Sequence, residues 1–375
     1  MVNKRNKYKV LVAILAAITM ATGVFFAGIA VESNRYKAEQ ECNVMLNRSD
    51  LDGLGKITGT IYVAGHKIPD SDTVGSSIAY ANLLCKLGYD AQPVVLGSIN
   101  NESDYILNVA ELETPMLLED AAGCNMVLVD HSEYMQSVEG LQDANIIGII
   151  DHHADGTITT SGQLIYDARP LGSTATIIWI RYRNYGVTPD RQTALVMMGS
   201  ILSDTKNLQS ENTTYADREA VKTLSNLAGI KDVDAFYSKM YKAALSYEGM
   251  TNEEIFFSDY KEYETDGTKY SIGNINAYDE ESAKDMAERM MEVFPSALES
   301  TGMDMAFAQI NVIHDDLSFT CLIPSDDAAD EVLKDAFDNT AVHEGIWYKI
   351  EPYASRKKIV VPAINNVLNA HHNEE

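Results

Sequence analysis

Apolar and polar positions alternate in long blocks along this chain. Val10 to Val31 runs for 22 residues without a charge, and Thr19 and Thr22 carry its only hydroxyls. As a helix the run is roughly 33 Å long at about 1.5 Å per residue, the thickness of a bilayer core. Lys4, Arg5, Lys7 and Lys9 precede it, and polar residues follow from Glu32. The pattern predicts a basic tail over 1–9, a transmembrane anchor or signal segment over 10–31, and a tether over 32–55, either a short helix or flexible. The basic excess before the span orients a single-pass cell-membrane protein with its body outside. Arg35 and Lys37 leave the cytoplasmic face open, and Gly28-Ile29-Ala30, small-x-small like a cleavage site, leaves a secreted form open.

Beyond residue 55 the blocks are shorter. Ile57 to Ala64, Pro93 to Gly97, Met126 to Val129 and Asn145 to Ile150 are apolar, rich in β-branched residues and of strand length. Helical stretches fall between and after them, at Val74–Leu87, Gly172–Tyr185 and Ala194–Leu202. Strands alternating with helices predict an α/β fold with a doubly wound parallel sheet over residues 56–235. A second, smaller α/β domain is expected over 236–370. It has a strand at 269–277, an amphipathic helix at 280–294, and a strand pair, 305–313 and 317–323, turning at His314-Asp315-Asp316.

Composition narrows the chemistry. Net charge is −26 over 375 residues, which excludes a binder of nucleic-acid polymer, because that function needs a basic face. Cys42, Cys85, Cys124 and Cys321 show no Cys-x-x-Cys spacing, so neither a disulfide framework nor a thiolate zinc site is expected. The strand ends carry something else. His66, Asp70 and Asp72 follow the first strand, Asp130 and His131 the third, Asp151-His152-His153 the fourth, and Asp204 ends a helix. In an open parallel sheet such strand ends converge on one crevice. Carboxylates with imidazoles suit manganese, cobalt or zinc, and at least six ligands suggest two ions sharing a carboxylate. Gly172-Ser173-Thr174-Ala175-Thr176 opens a helix, where it either binds an anion or simply caps the helix.

Taken in order, Gly65-His66-Lys67-x-Pro69-Asp70-x-Asp72, Asp130-His131-x-Glu133, Asp151-His152-His153 and Ser203-Asp204-Thr205 resemble the DHH phosphoesterase superfamily. Ser355-Arg356-Lys357-Lys358 is similar to the signature of its DHHA2 branch, which includes the manganese-dependent family II inorganic pyrophosphatases. The resemblance implies a hydrolase of phosphoanhydride bonds with two Mn²⁺ ions, Co²⁺ as a substitute, and Mg²⁺ accompanying the substrate. One ion would take His66, Asp70, Asp130 and Asp204. The other would take Asp72, Asp130, His152 and Asp204, so that Asp130 and Asp204 bridge. His153, Lys261, Arg356 and Lys357 would hold pyrophosphate and act in catalysis, in a cleft between the domains. Asp151 and His131 would orient ligands from behind. A homodimer is compatible with this pattern.

The pattern also has departures. Ile68 stands for an asparagine, Ser210-Glu211-Asn212 for Ser-Pro-Thr, Gly273-Asn274-Ile275-Asn276 for Gly-Gln-Val-Glu, and Ile359 for a glutamine. They leave two alternatives open: a phosphoesterase on polyphosphate or small nucleotides, and a weakly catalytic membrane-tethered module that binds phosphate compounds. The Gly-Gly-Gly-His motif of the sister DHHA1 branch is absent.

Overall fold

The computed structural model of the chain describes residues 2–154, 156–314 and 317–371, with side chains given for only part of the stretch before residue 31. The chain divides after Met240 into two units.

The first unit begins with one long helix, α1 (Val2–Gly53). The polar stretch expected as a short helix or flexible tether is the end of this helix. Glu32 to Asp52 contains neither glycine nor proline and no run of β-branched residues, so nothing interrupts the helix before Gly53. Its last turns are clasped to the unit. Leu51 is buried in the core, Arg48 donates from Nε and Nη2 to the Tyr185 carbonyl at 3.0 and 2.6 Å, and Asp50 accepts from Tyr185 Oη at 2.8 Å. Asp50 also pairs with buried Arg181 at 3.2 Å, which in turn pairs with Asp167 at 2.8 Å. No helix among the described residues is long and apolar enough to cross a membrane, and most side chains of the expected span, 10–31, lie outside those described.

The rest of the unit is β1 (Ile61–Ala64), α2 (Ser71–Lys86), β2 (Ala91–Val95), α3 (Asn101–Ala110), β3 (Met116–Leu117), β4 (Asn125–Val129), β5 (Asn145–Asp151), β6 (Ile165–Ala168), α4 (Thr174–Asn184), α5 (Arg191–Asp204), α6 (Tyr215–Ala228) and α7 (Val233–Ala244), the last spanning the division. The strands form one parallel sheet in the order β3-β2-β1-β4-β5-β6. The winding direction reverses between β1 and β4, which opens a crevice at the carboxyl ends of those strands. The two faces are covered differently. Val127 and Val129 of β4 join the core under α2, α4 and α5. Met126 and Leu128 point the other way, onto Val138, Leu141 and Ile149. That second face is covered by single 3-10 turns, Tyr134–Gln136 and Leu141–Asp143, so the double winding expected from sequence holds in topology without α-helices on both sides. The connection from Asp130 to Ala144 is too short and too interrupted for a full helix, with Gly140 in a left-handed conformation at φ 71°.

The second unit comprises α8 (Asn252–Ser258), β7 (Tyr260–Thr265), β8 (Thr268–Ala277), α9 (Glu280–Thr301), β9 (Met305–His314), β10 (Leu317–Pro324), α10 (Asp327–Phe337), β11 (Ala341–Glu344), β12 (Trp347–Ile350), a π-type turn at Arg356–Val360, and α11 (Val361–His371). Its sheet runs β11-β12-β10-β9-β8-β7, with only β8 and β9 parallel. Alternate residues of β9 face opposite layers. Ala306, Ala308, Ile310 and Val312 meet α9, while Met305 and Phe307 meet α10 and α11. The turn expected at His314-Asp315-Asp316 includes Asp315 and Asp316, which lie outside the described residues.

Candidate metal centre

Every presumed ligand of the first unit stands at the crevice. Asp130 follows β4 in a left-handed conformation (φ 63°), one that aspartate tolerates better than most residues. It is 1% exposed. Its Oδ2 accepts from Thr73 Oγ1 at 2.8 Å and its Oδ1 from Thr174 Oγ1 at 3.1 Å. Thr73 reaches it because residue 65 is glycine: a Cβ there would come within 2.2 Å of Thr73 Cγ2. The two oxygens face different imidazoles. His66 Nε2 lies 3.4 Å from Oδ2, and His152 Nε2 lies 3.5 Å from Oδ1.

Ligand-capable atoms gather around this carboxylate in overlapping groups. His66, Asp70 and Asp130 form one, Asp72, His152 and Asp204 another, and Asp130, His152 and His153 a third, each with all its atoms within 4.8 Å. The first two groups contain three members each of the two expected ligand sets. His152 Nδ1 bonds the Leu171 carbonyl at 3.0 Å, which makes Nδ1 the protonated nitrogen and leaves Nε2 a lone pair. That lone pair faces Asp130 and, at 3.7 Å, Asp204 Oδ2. Asp204 Oδ2 is buried with no hydrogen-bond partner. Lone pairs converging in this way fit a cation and little else.

The electrostatics agree. Burial, then crowding by Asp72, pushes Asp130 up to about 7 despite His66. Burial, then Asp72 and Asp130, holds Asp204 well above the usual carboxylate range. Burial works against charge on His66, yet its contacts with Asp130 and Asp70 raise it to about 10. Acids that lift one another in this way form a site for positive charge.

The helix start at Gly172–Thr176 does bind an anion, and the anion is internal. Asp72 accepts from Ser173 Oγ at 2.8 Å, Thr174 N at 2.7 Å, Ala175 N at 3.1 Å and Ser76 Oγ at 3.0 Å. The amino end of α4 therefore orients a presumed ligand and also caps its own helix. Asp151 Oδ1 accepts from the backbone nitrogen and Nδ1 of His153, at 3.0 and 2.9 Å, and so fixes that ring, which is half exposed. His131 turns the other way. Its Nδ1 bonds the Val129 carbonyl at 2.9 Å, and burial lowers its pKa to about 4, so it buttresses its own strand as a neutral ring.

In the second unit Lys261 lies on β7 and Lys357 in the π-type turn, both exposed. Arg356 is held fast. Its Nη1 donates to the Asp259 carbonyl and its Nη2 to Asp259 Oδ1, both at 2.6 Å. Asn274 Nδ2 donates to Asp259 Oδ2 at 2.9 Å, and buried Asn311 donates to Asn274 Oδ1 at 2.9 Å. Gln309 Nε2 bridges Asn311 Oδ1 and the Ala354 carbonyl at 3.0 and 2.9 Å, which ties the network to the segment just before Arg356.

Residues 60–201 match the DHH family, N-terminal domain, and residues 238–367 match the DHHA2 domain. The manganese-dependent inorganic pyrophosphatase of Methanothrix thermoacetophila is 36% identical over 307 residues, covering 82% of this chain and 97% of that protein. The chain belongs to the manganese-dependent inorganic pyrophosphatase family. The protein of the same description from Bacillus subtilis is 33% identical over 315 residues, covering 82% of this chain and 98% of its own. A crystal structure from Methanococcus jannaschii assigned to the family II inorganic pyrophosphatases superimposes with a TM-score of 0.52 at 32% identity, covering 82% of this chain and 99% of that one.

The family is manganese-dependent, and the clustered carboxylates and imidazoles are of the kind that could hold that metal. Sequence reasoning missed Thr73, which holds Asp130, and Asp259 and Asn311, which steady Arg356; it marked Ser173 and Thr174 as a helix start without assigning them to Asp72 or Asp130. Asp259 stands two residues before Lys261, close in sequence to a candidate phosphate-binding cation. Nothing in the sequence tied either threonine to Asp130, which lies 57 residues from Thr73 and 44 from Thr174.

Proposed function

We propose that this protein hydrolyses inorganic pyrophosphate to phosphate, using His66, Asp70, Asp72, Asp130, His152 and Asp204 to hold two Mn²⁺ ions. The observation that carries this reading is the division of Asp130 between two imidazoles, one oxygen to each. When bound, such ions supply Lewis acidity toward phosphoryl oxygens and lower the pKa of water. The chain's own residues do the rest. Asp130 and Asp72, fixed by Thr73, Thr174, Ser173 and the amino end of α4, keep their oxygens aimed without reorganisation. The bond to Asp151 raises the His153 pKa, which favours a cationic ring with Nε2 turned away from that bond and available to a phosphate oxygen. Lys261 and Lys357 act as point charges on phosphate. Arg356, already aligned by Asp259, offers a planar fork to its oxygens.

A substrate panel tests this reading. The purified protein with Mn²⁺ should release phosphate from pyrophosphate. Turnover of short polyphosphate or a nucleotide with none on pyrophosphate would move the substrate within the phosphoanhydride class. Binding without turnover would make the chain a phosphate-sensing module.

The uncharged run from Val10 to Val31, the basic residues before it and the unbroken helix α1 support a further proposal, a single-pass anchor with the catalytic body outside the cytoplasm. Protease added to intact cells should digest a body placed outside and spare one placed inside.

A further inference from the structure

Glu102 lies in the first turn of α3, outside every motif that pointed to the site. One of its oxygens, Oε2, accepts two hydrogen bonds of 2.7 Å, from Ser71 Oγ and from Ser203 Oγ. Ser71 stands between Asp70 and Asp72, and Ser203 immediately precedes Asp204. Asp70 belongs to the His66 group, while Asp72 and Asp204 belong to the His152 group. We infer that Glu102 is a positioning residue that sets the spacing between the Asp70–Asp72 segment and Asp204, and with it the geometry of the two-metal centre. The inference rests on the metal reading above.

Three observations argue for this role over ordinary surface chemistry. The carboxylate is half-buried, and burial together with nearby Asp70 raises its pKa, so the fold keeps an acid where acids already crowd. Its two donors come from opposite helix ends, the start of α2 and the last turn of α5, and lie 31 and 101 residues from Glu102 on either side of it in sequence. The two helices are already packed tightly, since a Cβ on Gly75 of α2 would lie 2.0 Å from Ser200 Oγ of α5. The fold does not need Glu102 to bring the helices together. Both serines can turn their hydroxyls to local carbonyls when the carboxylate is lost. What is lost is the shared acceptor that fixes one ligand segment against the other.

The test is a Mn²⁺ titration of the metal-stripped full-length protein, followed by electron paramagnetic resonance, which reads both affinity and exchange coupling between neighbouring ions. Wild type should bind a coupled pair. Glu102→Ala should weaken Mn²⁺ binding by about 10–100-fold, the usual effect of removing a partner that orients metal ligands, and should diminish the coupling. Glu102→Gln should restore both, because a single amide oxygen can accept from both serines. The double variant Ser71→Ala/Ser203→Ala should reproduce Glu102→Ala, and it carries the test if Glu102→Ala does not fold. Wild-type affinity and coupling in Glu102→Ala, or in the double serine variant, would overturn the inference. So would a Gln variant as impaired as the Ala variant, since charge and not spacing would then be the cause. A wild-type protein that binds no Mn²⁺ pair would overturn the metal reading itself, a distinct result.

Discussion

Arg356 and Asp259 are locked together by two bonds of 2.6 Å, one to the Asp259 side chain and one to its backbone carbonyl. A guanidinium assigned to substrate phosphate is thus already oriented by an acid. The expectation is that Asp259→Ala leaves Mn²⁺ binding intact and raises KM for pyrophosphate about tenfold, near the lower value of one hydrogen bond to a charged group. A KM at the wild-type value would remove Asp259 from the substrate-binding apparatus. The pH dependence has a definite sign. Burial raises the Asp259 pKa, but Arg356, Asn274 and Lys261 together hold it below the ordinary value. The pair therefore contributes fully above the unfolded carboxylate pKa of about 3.9 and is lost as pH falls through the lower folded value. KM should show no inflection from this pair between neutral pH and that range.

Asn311 joins Asn274, Gln309 and Thr320 beneath that ion pair, and it is 3% exposed. Asn311→Leu removes one hydrogen bond from each of those partners, at a cost of about 1–3 kcal/mol in the unfolding free energy read from urea denaturation. The same variant should raise KM, because Gln309 also holds the Ala354 carbonyl two residues before Arg356. A stability loss with an unchanged KM would show that the network supports the fold without aiming the arginine.

Asp130 turns one oxygen to each imidazole, so Asp130→Asn should disable both metal groups, whereas Asp70→Asn should spare the group of Asp72, His152 and Asp204. Calorimetric titration with Mn²⁺ should show both sites weakened in the first variant and one in the second. Turnover in Asp130→Asn should fall by more than about 10³-fold, in keeping with the several kcal/mol that metal chemistry contributes.

Asp50 fastens the end of α1 through Tyr185 and Arg181. Replacing it with alanine should cost about 1.5–3 kcal/mol, the range for losing hydrogen bonds to a charged group. Limited proteolysis should then cut faster within residues 32–50, while pyrophosphate turnover stays near wild type. Equal cutting rates would mean that Arg48 and Leu51 suffice to hold the helix.

The residue types of the metal centre were readable in the sequence because all but Asp204, which ends a helix, sit in a short local pattern: an apolar strand, then an acid or histidine. The strand-helix alternation was readable for the same reason, with β4 and β5 found almost to the residue, while β3, β6 and α3 passed unmarked. Met116–Leu117 is too short to show a period, and Ile165–Ala168 alternates over only four positions. The tether was ambiguous in sequence because helix propensity is a weak prior for a polar stretch. The contacts of Leu51, Arg48 and Asp50 show where that helix is anchored.

Sequence alone thus supplied the chemical inventory: carboxylates and histidines at the strand ends, an uncharged run at the start and two α/β blocks, with six ligands, a histidine and three cations for phosphate implied by the family resemblance. The tertiary structure decided how that inventory is held. It gave the amino end of α4 to Asp72, the two oxygens of Asp130 to different histidines, Glu102 to both Ser71 and Ser203, and Asp259 to Arg356. These contacts join residues 22 to 103 positions apart. A hydrogen bond at that separation leaves no periodic trace in the chain, because its partners meet only once the sheets and helices have packed.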